Sequence, residues 1–232
     1  MASGAAALRY WERRQEVASH NLANVSTDGF KGERVFSQMV ENGLPVADAM
    51  TNFTPGAINP TGNPYDLTIE GRGFFVVQTT NGERLSRGGS WQIANDGTLV
   101  NASGNAMLGE KGVIRINATD MQEIDKLEIS RGGGVRINGR EIDRLRLETI
   151  PDGTDLDREG AGLFIPPTTR TPMDADATVV RQGALEESNV TPIGEMVDMI
   201  AIQRAYSAVQ KAITTLDSAR GIAVTELGRP TN

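Results

Sequence analysis

SNVTPIGEMVDMIAIQRAYSAVQKAITTLDSARGIAVTELGRP, residues 188–230, decides how this chain folds. Thr191 stands where a helix is capped. Pro192 follows in the first helical position, where its missing N–H costs nothing. Glu195 in the first turn suits the helix dipole. Gly228 and Pro230 stop the helix near Leu227, and Gly221 is a weak point inside it. Between these signals Met199, Ile202, Tyr206, Val209, Ile213, Leu216, Arg220, Ala223 and Leu227 are spaced alternately by three and four residues. Only Arg220 in that row is neither apolar nor aromatic, so the row reads as a coiled-coil seam. Ile193, Val197 and Ile200 broaden the apolar face near the start. A helix of about 36 residues reaches roughly 54 Å. That is long for a helix lying on one small domain, and the pattern predicts pairing with another helix.

The other end of the chain supplies a candidate. From Ala5 to Asn24 there is no proline and no internal glycine, and Leu8, Trp11, Gln15, Ala18, Leu22 and Val25 form a weaker heptad stripe. A helix of about 20 residues is marginal alone in water. It ends in NLANVSTDGFK (21–31), where Asn21 and Asn24 are placed to cap the helix end and to bridge to a neighbour, since each amide both donates and accepts. Ser26 to Gly29 then turn the chain away.

Between the helices, residues 65–182 read as β. DLTIE, FFVVQTT, WQI, TLV, AML, VIRI, LEI, VRI and RLRLETI are short and partly alternating. Asn81-Gly82, Asp96-Gly97, Ser103-Gly104, glycines 132–134 and Asn138-Gly139 separate them, the strongest local signals for hairpins. The expected fold class is therefore α+β. N- and C-terminal helices pair as a coiled-coil stalk, and an antiparallel β domain is inserted between them and protrudes from it. The expected organisation is an N-terminal helix and export/assembly region over 1–40, a proline-bearing extended connector over 41–64, the β-rich domain over 65–182 and the C-terminal coiled-coil helix over 183–232.

Little in the sequence speaks for catalysis. Apolar residues make up 38% of the chain, so the core must be thin or completed by partner chains. The absence of cysteine excludes disulfides, thiol catalysis and Cys-ligated zinc. His20 is the only histidine, which rules out His-pair metal sites; on a helix surface it reads as a capping or solvated residue. DGTDLDREG (152–160) aligns with a calcium loop only until its twelfth position, which is Pro166 rather than glutamate, so it reads as a solvated loop. GRGFFV (71–76) opens a strand and lacks a third glycine, so it reads as a tight turn rather than a phosphate cradle. Phe74, Phe75 and Trp91 read as β core. No catalytic, cofactor or metal site is expected. The net charge of −7 argues against a nucleic-acid partner. No stretch approaches the ~18 apolar residues of a membrane span. The N-terminus lacks the basic-then-apolar pattern of a cleaved secretion signal. A stand-alone β-rich surface binding module is the rival of another class; the heptad ends and the missing signal argue against it.

Three stretches together resemble one family. NLANVSTDGFK (21–31) is similar to the N-terminal signature of the bacterial flagellar axial proteins, the rod, hook and hook-associated subunits. GRGFFVV…NGERLSRGGSWQIANDGTLVNASGNAMLG (71–109) resembles the central block of rod and hook subunits. GALEESNVTPIGEMVDMIAIQRAYSAVQKAI (183–213) resembles their C-terminal signature. The chain departs from the family pattern at His20, where asparagine is usual, and at RGGSW. It is shorter than a hook subunit and looks like a basal-body rod protein. Its ending is more similar to the proximal than to the distal rod type.

The resemblance implies a structural subunit without catalysis. It implies export through the flagellar type III apparatus without cleavage, then helical polymerisation, with copies of itself and other rod subunits, into the torque-transmitting rod that crosses the periplasm. Expected assembly residues are Leu8, Trp11, Leu22, Val25, Asn21 and Asn24 at one end and Met199, Ile202, Tyr206, Val209, Ile213, Leu216 and Leu227 at the other. FSQMV (36–40) resembles an export-recognition motif, with Phe36 and Val40 as its apolar residues; an ordinary apolar turn is the alternative.

Overall fold

A computed structural model describes residues 2–39, 45–116, 127–151, 153–160, 162–173 and 179–227. The order is helix, strands, helix. Helix α1 spans Ala2–Ala23 and α2 spans Pro192–Leu227. Between them lie β1 (Glu33–Met39), β2 (Pro45–Thr51), β3 (Ile58–Pro60), β4 (Asp66–Glu70), β5 (Phe74–Thr79), β6 (Gly82–Ser86), β7 (Gly88–Ile93), β8 (Leu99–Asn101) and β9 (Ala106–Gly109). They continue as β10 (Gly112–Val113), β11 (Leu127–Ile129), β12 (Gly134–Ile137), β13 (Arg140–Arg144), β14 (Leu147–Thr149), β15 (Leu163–Phe164), β16 (Thr171–Pro172), β17 (Val179–Gln182) and β18 (Ala184–Glu186). The chain is thus α+β, with an antiparallel β domain between terminal helices. Two compact units emerge. One holds α1, β1, most of β2 and α2; the other holds residues 24–32 and 51–190.

The hairpins form where the turn chemistry put them. Asn81-Gly82 joins β5 to β6, Asp96-Gly97 joins β7 to β8, and Ser103-Gly104 joins β8 to β9. Asn138 (φ 50°) and Gly139 (φ 82°) join β12 to β13; both are left-handed, as a type I′ hairpin turn requires. The main sheet has the path β15-β6-β5-β9-β8-β7-β4-β17, and β11-β12-β13 make a separate three-stranded sheet. FFVV in β5 is buried on both sides, which explains its continuous apolar run. Phe75 and Val77 enter one core with Trp91, Leu67 and Leu99, while Phe74 and Val76 enter a second with Leu85, Leu156 and Phe164. Phe75 meets Trp91 edge-on at 6.1 Å between ring centres, as the sequence reading of these residues as core requires.

The stretch read as an extended connector carries more regular structure than its prolines suggest. β2 pairs with β1, and β3 pairs antiparallel with β18, so Ile58 lies opposite Glu186. Propensity alone did not show β3, because its partner β18 is distant in sequence, whereas β1 and β2 are close neighbours along the chain. Gly56 marks how closely the two segments approach: a Cβ there would lie 2.0 Å from the carbonyl oxygen of Glu187. Gly56→Ala must push backbone from backbone. The expected cost is about 1–3 kcal/mol, read as a lowered urea midpoint of the β signal, with no loss if residues 54–57 were free of the 186–188 segment.

Candidate assembly site: a buried ion triad and a helix pair

The β unit is closed around three charges. Lys31 follows the 24–29 turn, Arg87 lies between β6 and β7, and Glu186 ends β18. Lys31 Nζ is 2.6 Å from Glu186 Oε1, with both side chains essentially sealed from solvent. Arg87 Nη2 approaches Glu186 Oε2 at 3.1 Å from the other side. Backbone groups complete the shell. Lys31 also donates to the Thr54 carbonyl (3.0 Å), the Gly56 N–H donates to Glu186 Oε1 (2.9 Å), and Arg87 donates to the carbonyls of Gly73 (2.5 Å) and Gly71 (2.9 Å). Burial pulls the Lys31 ammonium below its usual pKa and the neighbouring Arg87 adds to this; the bond to Glu186 opposes both.

Asn189 fastens the same region. Its Oδ1 accepts from Gly32 N–H (2.7 Å), and its Nδ2 donates to the carbonyls of Asn52 (2.8 Å) and Thr54 (2.9 Å). Arg158 donates to the Lys31 carbonyl and lies over the Phe30 ring. The segment leaving α1 and the segment entering α2 are therefore bound side by side within the β unit. Sequence reasoning missed this constellation. Ala184 and Glu186 do share one buried face of β18, so a charge at a core position was the available signal. Its two partners lie 99 and 155 residues away in sequence.

The helix unit is a second arrangement. α1 and α2 pack antiparallel. A Cβ on Gly4 would lie 3.0 Å from Ile213 Cδ1, Tyr206 O–H donates to Glu12 (3.2 Å), and Asn21 Nδ2 donates to Glu195 Oε1 (3.1 Å). Of the expected seam on α2, Ile202 is buried and Met199, Tyr206, Val209 and Ile213 are half-buried. Leu216 is exposed, and the side chain of Leu227 lies outside the described residues. On α1 the best-buried residues are Ala6, Val17, Ala18 and Asn21, while Leu8, Trp11 and Leu22 are half-buried.

Asn21 works inside the chain. Its side chain accepts from Glu33 N–H and donates to Glu33 C=O, both at 2.9 Å, holding the start of β1 beside α1. Val25 lies beyond the helix, because Asn24 C=O accepts from Thr27 N–H (3.0 Å) and the chain turns there. Asn24 Oδ1 accepts from the Thr27 hydroxyl (3.2 Å). Phe36 lies half-buried on β1, a strand where an ordinary apolar turn was the alternative, and Val40 is outside the described residues. Among the described residues no three side chains are grouped to hold a metal, and no helix is long and apolar enough to cross a membrane.

The arrangement defines an axial protein with paired terminal helices and an inserted β domain, and the comparisons agree. Residues 1–31 match the model described as "Flagella basal body rod protein", 68–137 that of the "Flagellar hook protein FlgE/F/G D1 domain", and 181–225 "Flagellar basal body rod FlgEFG protein C-terminal". The chain is 30% identical to the flagellar basal-body rod protein FlgF of Caulobacter vibrioides, covering 94% of this chain and 93% of that one. It is 32% identical to FlgF of Escherichia coli over 90% of each, and 28% identical to the rod protein FlgG of Bacillus subtilis over 93% and 94%. The chain belongs to the flagellar basal-body rod protein family of the FlgF/FlgG kind. Lys31, Arg87 and Glu186 fall one in each of the three stretches whose resemblance to the axial proteins was read from the sequence.

Two outcomes test this geometry. Glu186→Ala leaves two buried cations without their carboxylate and is expected to cost about 3–5 kcal/mol. Lys31→Met keeps the Arg87–Glu186 pair and an apolar stem, so it should cost clearly less in the same urea titration. Glu195 tests the helix unit. Burial raises its carboxyl above the usual 4.5, with Asp198 adding and the Asn21 bond opposing. A raised acid stabilises the fold while protonated, and that contribution is lost as pH climbs from 4.5 through the folded value. Glu195→Gln should therefore match or exceed the parent in helix melting temperature at pH 7, with the difference closing at pH 4.

Proposed function

We propose that this chain is a structural subunit of the flagellar basal-body rod, polymerising helically through its terminal helices, with a proximal position as in the FlgF relatives. One observation carries the reading. Of the nine large apolar side chains exposed among the described residues, seven lie on α2: Ile193, Met196, Val197, Ile200, Leu216, Ile222 and Val224. Apolar surface on more than one side of a helix is built to be buried, and α1 covers only one side of α2. Among the described side chains of α2, Ile202 alone of the large ones is buried, a gain of about 1.5–3 kcal/mol. Ordering a residue costs about 1–2 kcal/mol of backbone entropy. The pair is therefore marginal in a free chain and reaches its full burial on assembly as a coiled-coil stalk. In that stalk Leu8, Trp11, Leu22, Met199, Ile202, Tyr206, Val209, Ile213 and Leu216 are the seam residues, Leu227 extends the seam, and Val25, just past α1, remains a candidate assembly contact. Asn24 remains a candidate bridge to a neighbouring subunit.

In this reading the chain leaves the cytoplasm through the flagellar type III export apparatus, with Phe36 and Val40 as the recognition pair. It acts in the periplasm-spanning rod as a non-catalytic, torque-bearing part among other rod subunits. Deletion of the gene followed by purification of basal bodies should give truncated rods; intact, motile cells would overturn the proposal. Ile213→Asp should abolish incorporation while leaving the β unit's denaturation unchanged, and normal rods in that variant would remove the seam.

A further inference from the structure

Two cations and one carboxylate share the closed site of the β unit. Lys31, Arg87 and Glu186 are 0%, 4% and 2% exposed. Glu186 balances one cation and leaves one positive charge over, and a buried charge without its own partner is costly. Burial and Arg87 both favour the uncharged amine of Lys31, and Glu186 opposes them. A desolvated, uncharged lysine amine is a nucleophile. It lies 2.6 Å from Glu186 Oε1, a carboxylate placed to take its proton.

An electrophile stands beside it. Asn189 Nδ2 donates to the Thr54 carbonyl oxygen at 2.9 Å, and Lys31 Nζ donates to that same oxygen at 3.0 Å. The shared acceptor keeps amine and amide side by side. Asn189 Oδ1 accepts from the Gly32 N–H at 2.7 Å. A backbone N–H aimed at the oxygen of an amide under attack stabilises the charge that develops there. Nδ2 also donates to the Asn52 carbonyl (2.8 Å), which fixes the plane of the amide. Asn189 is half-buried, so a small group released from it reaches solvent.

We propose that this site is self-modifying: Lys31 and Asn189 become joined by a side-chain amide, with Glu186 carrying the proton. Nζ gives up its bond to Thr54 and attacks Asn189 Cγ. As the Nζ–Cγ bond forms, charge gathers on Oδ1 against the Gly32 N–H. Glu186 takes the proton that Nζ loses and delivers it to Nδ2. The Cγ–Nδ2 bond then breaks and ammonia leaves. An amine and a carboxamide become a secondary amide and ammonia; nothing is oxidised or reduced, and no co-reactant is consumed. Charge decides between Asn189 and the other carbonyl carbon beside Nζ, that of Glu186. An amide to Glu186 would consume the carboxylate bound to Arg87 and strand that cation. An amide to Asn189 removes the surplus positive charge and leaves the Arg87–Glu186 pair intact. The product ties the 24–32 segment to the segment after β18 by a bond that denaturant does not break.

The full chain is purified, weighed intact by mass spectrometry and then digested with trypsin. Its mass should fall about 17 Da below that of its sequence, the weight of the ammonia released. Residues 15–34, uncut after Lys31, should appear joined to residues 182–204. Lys31→Met and Asn189→Ala should each show the full mass and no joined peptide. A parent chain at full mass that unfolds cooperatively in urea would overturn the proposal. So would a loss of ammonia that maps to an Asn-Gly turn, or a joined peptide lighter by water, about 18 Da, through Glu186. The measurement weighs the chain alone, so each of these outcomes leaves the rod function standing.

Discussion

Glu186 is the constraint on which the β unit depends. Its two carboxylate oxygens are divided between Lys31 and Arg87, and a backbone N–H from Gly56 supports one of them. Each cation is tied in turn to carbonyls of a different segment. Taking three charges out of water is costly, and the attraction between them offsets that only where every donor is used. The arrangement therefore tolerates few alternatives: the 24–32 segment, the approach to β3, the 71–73 turn and β18 must all be in place together. The triad fixes which segments meet, and the aromatic cores around Phe75 and Phe74 supply most of the burial.

The helix unit obeys the opposite logic. It has few charges of consequence and too little buried apolar surface for its length. The exposed Arg13–Glu16 pair contributes little. The polar contacts that matter are the Asn21 bonds to Glu33 and Glu195, which set where α1 stops against α2. What remains is a long helix with uncovered apolar surface on more than one side. A well-closed β unit and an open helix pair stand together in one chain.

Much of this was legible from residue spacing. The helix start at Thr191-Pro192, the four turn pairs and the glycine run 132–134 rest on local chemistry, and each stands where its residues put it. The expected stop at Gly228 and Pro230 lies outside the described residues. The periodicity of α2 named Ile202 and Ile213 as inward-facing. On α1 the stripe named Ala18, which is buried, together with Leu8, Trp11 and Leu22, which are half-buried, and it missed the buried Ala6 and Val17. β1 and β2 were passed over although they are close neighbours in sequence, and β3 was not read as a strand because its partner, β18, is remote along the chain. The triad was illegible for the same reason, magnified. A lysine after Gly29-Phe30, an arginine before two glycines and a glutamate in a short strand look like ordinary surface charges one at a time.

By itself the sequence determined the helices, the hairpins, the α+β class and the axial-protein resemblance, since all of these rest on residues within about one element of each other. Tertiary structure alone decided that Lys31, Arg87 and Glu186 share one buried site and that Asn21 is bound to Glu33 and Glu195 inside the chain. These depend on distances between segments remote along the chain, and no local preference encodes such a distance.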